Sequence, residues 1–145
     1  VRDEAAVLDA VNVVGTGETR QVQALGREEI ARQPAGTSPL KLLGKLPGVH
    51  FTSADPWGNY EWSTRLNIRG FNQNQLGFTL DGIPLGDMSY GNHNGLHISR
   101  ALIAENLGFA EVSQGSGALD TASSSNLGGT VRFASRGPQA ERGAT

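Results

Sequence analysis

Residues 65–85, RLNIRGFNQNQLGFTLDGIPL, constrain the fold more than any other stretch of this chain. Leu66 and Ile68 alternate with Asn67 and Arg69, and Phe78 and Leu80 alternate with Thr79 and Asp81. A period of two sends successive side chains to opposite faces, which marks half-buried strands. The polar run 72–75 separates the two strands, and Asp81-Gly82 forms a tight turn before Ile83 and Leu85. The remaining elements are expected to lie against these central strands.

Glycine sets the second bound. Twenty of the 145 residues are glycine, roughly twice the ordinary share of about 7%. They follow no fixed period, which excludes collagen-like and solenoid architectures. They predict many tight turns and a fold of modest stability on its own. A chain of this length buries about 70% of its unfolded surface, so one domain with a real core is expected. The net charge is -2 with no long run of one sign, which argues against nucleic acid as a partner. No cysteine is present, so no disulfide framework is available. No apolar run approaches the ~20 residues of a membrane helix. No secretory signal opens the sequence.

Residues 1–19 form an arm whose apolar part is Leu8-Asp9-Ala10-Val11-Asn12-Val13-Val14. Its β-branched residues favour extended backbone. It reads either as an edge strand of the domain or as a detachable strand that pairs with another protein's sheet. Residues 22–25 read as a strand and 27–33 as a short helix with Glu28 and Glu29 in its first turn. A clearer helix is predicted over 39–46, with Ser38 as N-cap and Pro39 at its first position. Leu40, Leu42, Leu43 and Leu46 give it a core-facing stripe, each leucine worth about 1.5–3 kcal/mol when buried. Residues 49–52, 109–114 and 130–134 read as strands, with Val131 and Phe133 on one face, and a short helix is expected within 99–107.

Catalytic motifs are missing. Gly15-Thr16-Gly17 is followed by Arg20 where a dinucleotide fingerprint needs glycine. Gly115-Ser116-Gly117 lacks the flanks of a nucleophile elbow. His93 and His97 have i, i+4 spacing, but Asn94-Gly95 between them opposes a helix and no third metal ligand is evident. His50 reads as a hydrogen-bonded structural residue in a strand. The carboxylates are scattered, without an acid–base pair. The chain is therefore read as non-enzymatic, with no metal and no cofactor.

Binding features are better represented. The loop Asp55-Pro56-Trp57-Gly58-Asn59-Tyr60-Glu61-Trp62 holds three of nine aromatic residues. Aromatic rings on a loop present contact area to a ligand or fold back as a lid on the core. Residues 86–94 add Asp87, Tyr90, Asn92 and Asn94, side chains able to hydrogen-bond a small polar molecule. Arg69 lies either on a solvated face or against a second wall, where its fork would meet a carboxylate.

Several of these segments together resemble one family. Leu46-Pro47-Gly48-Val49, Ile68-Arg69-Gly70-Phe71, Leu80-Asp81-Gly82-Ile83-Pro84-Leu85, Ala110-Glu111-Val112 and Asn126-Leu127-Gly128-Gly129-Thr130-Val131 look like the plug domain of TonB-dependent outer-membrane receptors, in the family's order. The resemblance covers about residues 20–138. It implies an α+β fold, a small mixed β-sheet with short helices and long glycine-rich loops, lodged inside a β-barrel absent from this chain. By the same likeness residues 8–14 occupy the place of the TonB box, and 139–145 lead toward the barrel. The implied partners are TonB, the receptor's own barrel and a small nutrient, and the implied location is the Gram-negative outer membrane. Ligand contacts would come from three apices that carry Trp57 and Tyr60, Asn72 and Gln75, and Asp87, Tyr90 and Asn92. Arg69 and Glu111 would meet the barrel wall. Gln114 stands where the family usually has an arginine, which removes one expected ion pair. The amide-rich, aromatic apices lean toward a neutral, sugar-like ligand. A soluble carbohydrate-binding module without energy coupling is the alternative reading, and an unrecognised hydrolase is a weaker one.

Overall fold

The computed structural model describes residues 21–86, 88, 95–114 and 126–138. Within them the elements run β1 (Gln21–Leu25), α1 (Arg27–Ala31), α2 (Pro39–Leu43), β2 (Val49–Thr52), β3 (Arg65–Ile68), β4 (Phe71–Asn72), β5 (Gly77–Leu80), β6 (Ile83–Gly86), α3 (Ile98–Ala101), β7 (Leu107–Gln114) and β8 (Thr130–Ser135). Short 3-10 turns occupy Gln73–Gln75 and Ala104–Asn106. The arm over residues 1–19 and the segment 139–145 lie outside the described residues.

The strands form two sheets. The larger has the order β1-β7-β8-β5-β6 and the smaller β2-β3-β4. β5 and β8 are parallel and the other pairs antiparallel, so the larger sheet is mixed, as expected. One expectation fails: β3 and β5 do not form a common centre but belong to different sheets. Turn geometry is the reason. Arg69 and Gly70 have φ of 49° and 86°, and Ile68 pairs with Phe71. Two left-handed central residues make a type I′ turn, whose twist suits a two-residue hairpin. β3 therefore folds straight back into β4 instead of running on toward β5. Asp81 (φ 50°) and Gly82 (φ 81°) make the second such turn, between β5 and β6, as the sequence predicts.

α2 begins as expected: the Leu40 N–H donates to Ser38 Oγ at 3.3 Å, and Pro39 opens the helix. It ends at Leu43, earlier than residue 46. A Cβ on Gly44 would lie 3.1 Å from Phe51 Cβ, so the helix end is pressed onto β2. α1 likewise stops at Ala31. The short helix expected within 99–107 is α3, which starts one residue earlier at Ile98; extended backbone at Leu102 (φ -151°) ends it before the following 3-10 turn.

A single core binds the two sheets and the helices. Leu25, Ala110, Val112, Val131, Phe133 and Phe78 line the inner face of the larger sheet. Leu66 and Ile68 from β3, the leucines of α2 and Ile98 from α3 close the other side. On the outer face of β7 and β8, Glu111 stands opposite Arg132 and buried Ser113 opposite buried Thr130, with the part-exposed Phe109 on the same face.

Candidate functional site

The loop over residues 53–64 is built around one carboxylate. Asp55 accepts from Ser53 Oγ at 2.6 Å and from the backbone N–H groups of Trp57, Asn59 and Tyr60 at 3.2, 3.0 and 2.9 Å. Partial burial acts to raise its pKa. The hydrogen bonds from Ser53 and the backbone of Asn59, Tyr60 and Gly58 outweigh it and hold the carboxyl well below the usual carboxylate range. Gly58, at φ 76°, lets the backbone pass under the Phe51 ring, where a Cβ would fall 2.7 Å from Phe51 Cζ.

Further bonds moor this loop to the helices. The Ser38 N–H donates to the Trp57 carbonyl at 2.8 Å, Lys41 Nζ donates to the Pro56 carbonyl, and Asn59 Nδ2 donates to the Gly36 carbonyl at 2.6 Å. Glu61 and Arg100 form an ion pair that ties the loop to α3. Trp57, Tyr60 and Trp62 stay about half exposed, and the Tyr60 and Trp62 rings lie 5.9 Å apart. The aromatics are therefore displayed on a fixed frame and do not act as a lid on the core. Such preorganised rings supply contact area at little ordering cost.

Asn72 and Gln75 occupy a different element. Gln75 Oε1 accepts from the Asn72 N–H at 3.0 Å, so the Gln75 side chain closes the 3-10 turn while Asn72 stays exposed. Gln73 Nε2 donates to the Met88 carbonyl at 3.1 Å and links this turn to the segment that starts the 86–94 loop. Asp87, Tyr90 and Asn92 lie outside the described residues. Among the described residues, no hydrogen bond or ring contact joins Trp57 or Tyr60 to Asn72 or Gln75.

Arg69 differs most from its reading. It sits in the β3–β4 turn and not on a strand face beside Asn67. It is exposed, and its Cγ lies near Gly48, where a Cβ would be 3.3 Å away. Its N–H donates to the Gly48 carbonyl at 2.9 Å. No carboxylate among the described residues pairs with it. Glu111 pairs across the sheet with Arg132 at 3.3 Å. His50 is exposed on β2 with no side-chain hydrogen bond among the described residues, contrary to a structural role.

His97 is what the sequence did not reveal. It caps α3: its Nδ1 accepts from the Ser99 N–H at 3.3 Å and meets Ser99 Oγ at 2.7 Å. Burial lowers its pKa; the charge of Glu61 opposes this and that of Arg100 adds to it. The pair is a helix cap and not a nucleophile and base, since among the described residues no carboxylate hydrogen-bonds the imidazole and its Nε2 is buried without a partner. The only hint in the sequence was a polar residue before Ile98 and Ser99. His93, the other half of the i, i+4 pair, lies outside the described residues, among which no group of three acidic, His or Cys side chains stands close enough to hold a metal.

Comparison with known proteins identifies the domain that carries this loop. The family model described as the TonB-dependent receptor plug domain matches residues 16–130. No curated protein matches. Among solved structures, the ferric enterobactin receptor PfeA of Pseudomonas aeruginosa, in complex with BCV-L6, is 22% identical with a TM-score of 0.62, covering 83% of this chain and 18% of the receptor. The siderophore receptor PirA of Acinetobacter baumannii is 19% identical with a TM-score of 0.60, covering 81% and 17%. The alcaligin outer-membrane receptor FauA of Bordetella pertussis is 24% identical with a TM-score of 0.58, covering 88% and 20%. The chain thus spans about a fifth or less of each of these receptors. The chain belongs to the TonB-dependent receptor plug domains.

Proposed function

We propose that this domain closes the lumen of an outer-membrane transport barrel in a Gram-negative cell, contacts a nutrient at its apices and yields when TonB engages its arm. The family match across residues 16–130 carries this reading. The outer face of β7 and β8 supports it. Glu111 and Arg132 place a part-exposed ion pair on that face, suited to a wetted barrel interior and not to lipid. Plug domains are transport components, so no turnover is assigned to the chain.

Residues 8–14, from Leu8 through Asp9, Ala10, Val11, Asn12 and Val13 to Val14, are the proposed TonB-binding segment. Extended, residues 9–14 span ~20 Å, enough to add a strand to a partner's sheet edge. Trp57, Tyr60, Asn72 and Gln75, with Asp87, Tyr90 and Asn92, are the proposed ligand contacts. Arg69, exposed and unpaired within the described residues, is free to meet a barrel carboxylate. Glu111 would reach the wall only together with Arg132.

For the ligand we favour an iron chelate over a sugar. The solved structures of similar fold are named as receptors for enterobactin, alcaligin and siderophores. Half-exposed indole and phenol rings stack on a catecholate as readily as on a pyranose. Titrating a peptide of residues 5–17 with the periplasmic domain of TonB tests the coupling arm. Saturable binding that a shuffled peptide lacks is expected. Equal, weak binding by both peptides overturns the assignment. Quenching of tryptophan fluorescence by ferric enterobactin in the full receptor, lost with Trp57→Ala, would support the chelate class, and quenching by an oligosaccharide alone would replace it.

A further inference from the structure

An open pocket of about 610 Å³ lies between α1 and residues 103–107. Ile30 of α1, Ala104 of the 3-10 turn and Leu107 of β7, all buried, form its apolar floor. Ile103 also lines it and is 56% exposed, so the floor runs on into an uncovered aliphatic wall. No aromatic ring lines the pocket among the described residues, so it offers packing to a chain and no stacking to a ring.

The wall that begins at Pro34 is fixed in place. The N–H and Oγ1 of Thr37 both donate to the Pro34 carbonyl, at 3.2 and 2.6 Å. The Gly36 N–H donates to Glu105 Oε1 at 2.7 Å, and the Gly36 carbonyl accepts from Asn59 Nδ2 at 2.6 Å. A wall held from three sides does not have to be ordered when a ligand enters. The volume falls in the range of small-molecule sites, about 300–1,000 Å³.

Charge on the rim decides what fits. Arg27 and Arg136 line the pocket, and among the described residues neither guanidinium has a hydrogen bond or an ion pair. The carboxylates beside Arg27 are committed: Glu28 pairs with Arg32, and Glu29 Oε2 accepts from the Gly26 N–H at 3.0 Å. Glu105 is the acidic residue on the rim, against two arginines. A monoanion balances that excess of one positive charge, and a dianion such as a phosphate ester overshoots it. The planar guanidinium fork matches a carboxylate.

We propose that this pocket binds a short aliphatic carboxylate, its head group at Arg27 and Arg136 and its chain on Ile30, Ala104 and Leu107. None of the residues proposed for contact with the nutrient or with TonB lines it, so it is a second site and does not depend on the transport reading. Its wall shares Gly36 with Asn59 of the aromatic loop, which places an occupant one hydrogen-bonded residue from that frame.

Fluorine NMR of the full receptor in detergent, titrated with a trifluoromethyl-terminated hexanoate and corrected for detergent alone, tests the proposal. Saturable binding is expected. Each methylene added from the pentanoate to the heptanoate should tighten it by about fourfold, which reads the apolar floor and needs no variant. Arg27→Gln and Arg136→Gln should each weaken it by about fivefold, as should replacing the carboxylate of the probe by a neutral alcohol. Absence of saturable binding, equal affinity of the acid and the alcohol, or affinity unaltered in both variants overturns the proposal. Failure of the TonB titration would remove the transport reading and leave this pocket standing; failure here would leave transport standing.

Discussion

Gly128 lies so close against Phe71 that a Cβ on it would fall 2.3 Å from Phe71 Cβ and 2.5 Å from its Cγ. Phe71 belongs to β4 of the smaller sheet, and Gly128 leads into β8 of the larger. The Gly128 N–H also donates to the Gln75 carbonyl at 2.8 Å. Two segments that resembled the family, one around Arg69-Gly70-Phe71 and one around Gly128-Gly129, thus meet in space and join the sheets. Gly128→Ala should destabilise the 145-residue chain by about 1–3 kcal/mol in urea unfolding. Phe71→Gly removes both of the nearest atoms, so the double variant should cost less than the sum of the two single changes. Strictly additive costs would show that Phe71 does not limit the site.

Asp55 should matter to the order of the aromatic loop more than to global stability. Asp55→Ala removes the acceptor of three backbone N–H groups and a hydroxyl, a local cost of about 1–3 kcal/mol. Acrylamide quenching of tryptophan fluorescence should rise. Since its folded pKa is depressed, the stabilisation is complete above the ordinary carboxylate range and fades only as pH falls below that range toward the folded value. Loop order in the unsubstituted chain should therefore be flat from neutral pH down to about pH 5.

His97 gives the range just below neutral pH its own handle. Its folded pKa lies below the ordinary 6.5, so the unfolded chain binds the extra proton first. Stability should fall as pH drops below about 6.5 and level off below the folded value. Asn caps helices without titrating, so His97→Asn should flatten that part of the profile with little loss at pH 7.5. An unchanged slope in urea midpoints measured from pH 5 to 7.5 would assign the dependence elsewhere.

Much of the fold was legible because local chemistry and tertiary structure agree. Ser38-Pro39 and Asp81-Gly82 carry their turn and cap chemistry in their own side chains, and alternation at Val131 and Phe133 reports a buried face directly. What was hidden depends on partners distant in sequence. Arg is an unusual residue at positive φ, so Arg69-Gly70 read as strand and the division into two sheets was lost with it. His97 as a cap, the Glu111–Arg132 pair and the mooring of the aromatic loop by Asp55 follow from register and loop closure, which no local pattern encodes. Of the proposed contacts, Trp57 and Tyr60 prove displayed and Gln75 proves engaged in its own turn.

The Arg69-Gly70 turn offers a separation of fold from function. Asn tolerates left-handed backbone better than Arg, so Arg69→Asn should leave the 145-residue chain as stable or up to about 1 kcal/mol more stable. Gly70→Ala, at φ 86°, should cost about 1–2 kcal/mol. If Arg69 meets a barrel carboxylate, Arg69→Asn should nevertheless lower the melting temperature of the full receptor's plug. Parallel changes in the domain and the receptor would leave Arg69 a turn residue only.

Single-channel conductance of the full receptor in a planar bilayer, compared with a variant lacking residues 21–138, asks most directly whether this domain stops a pore. A closed lumen predicts no large ion current through the intact receptor and a stable, large conductance once the domain is removed. Equal large currents through both proteins would contradict it.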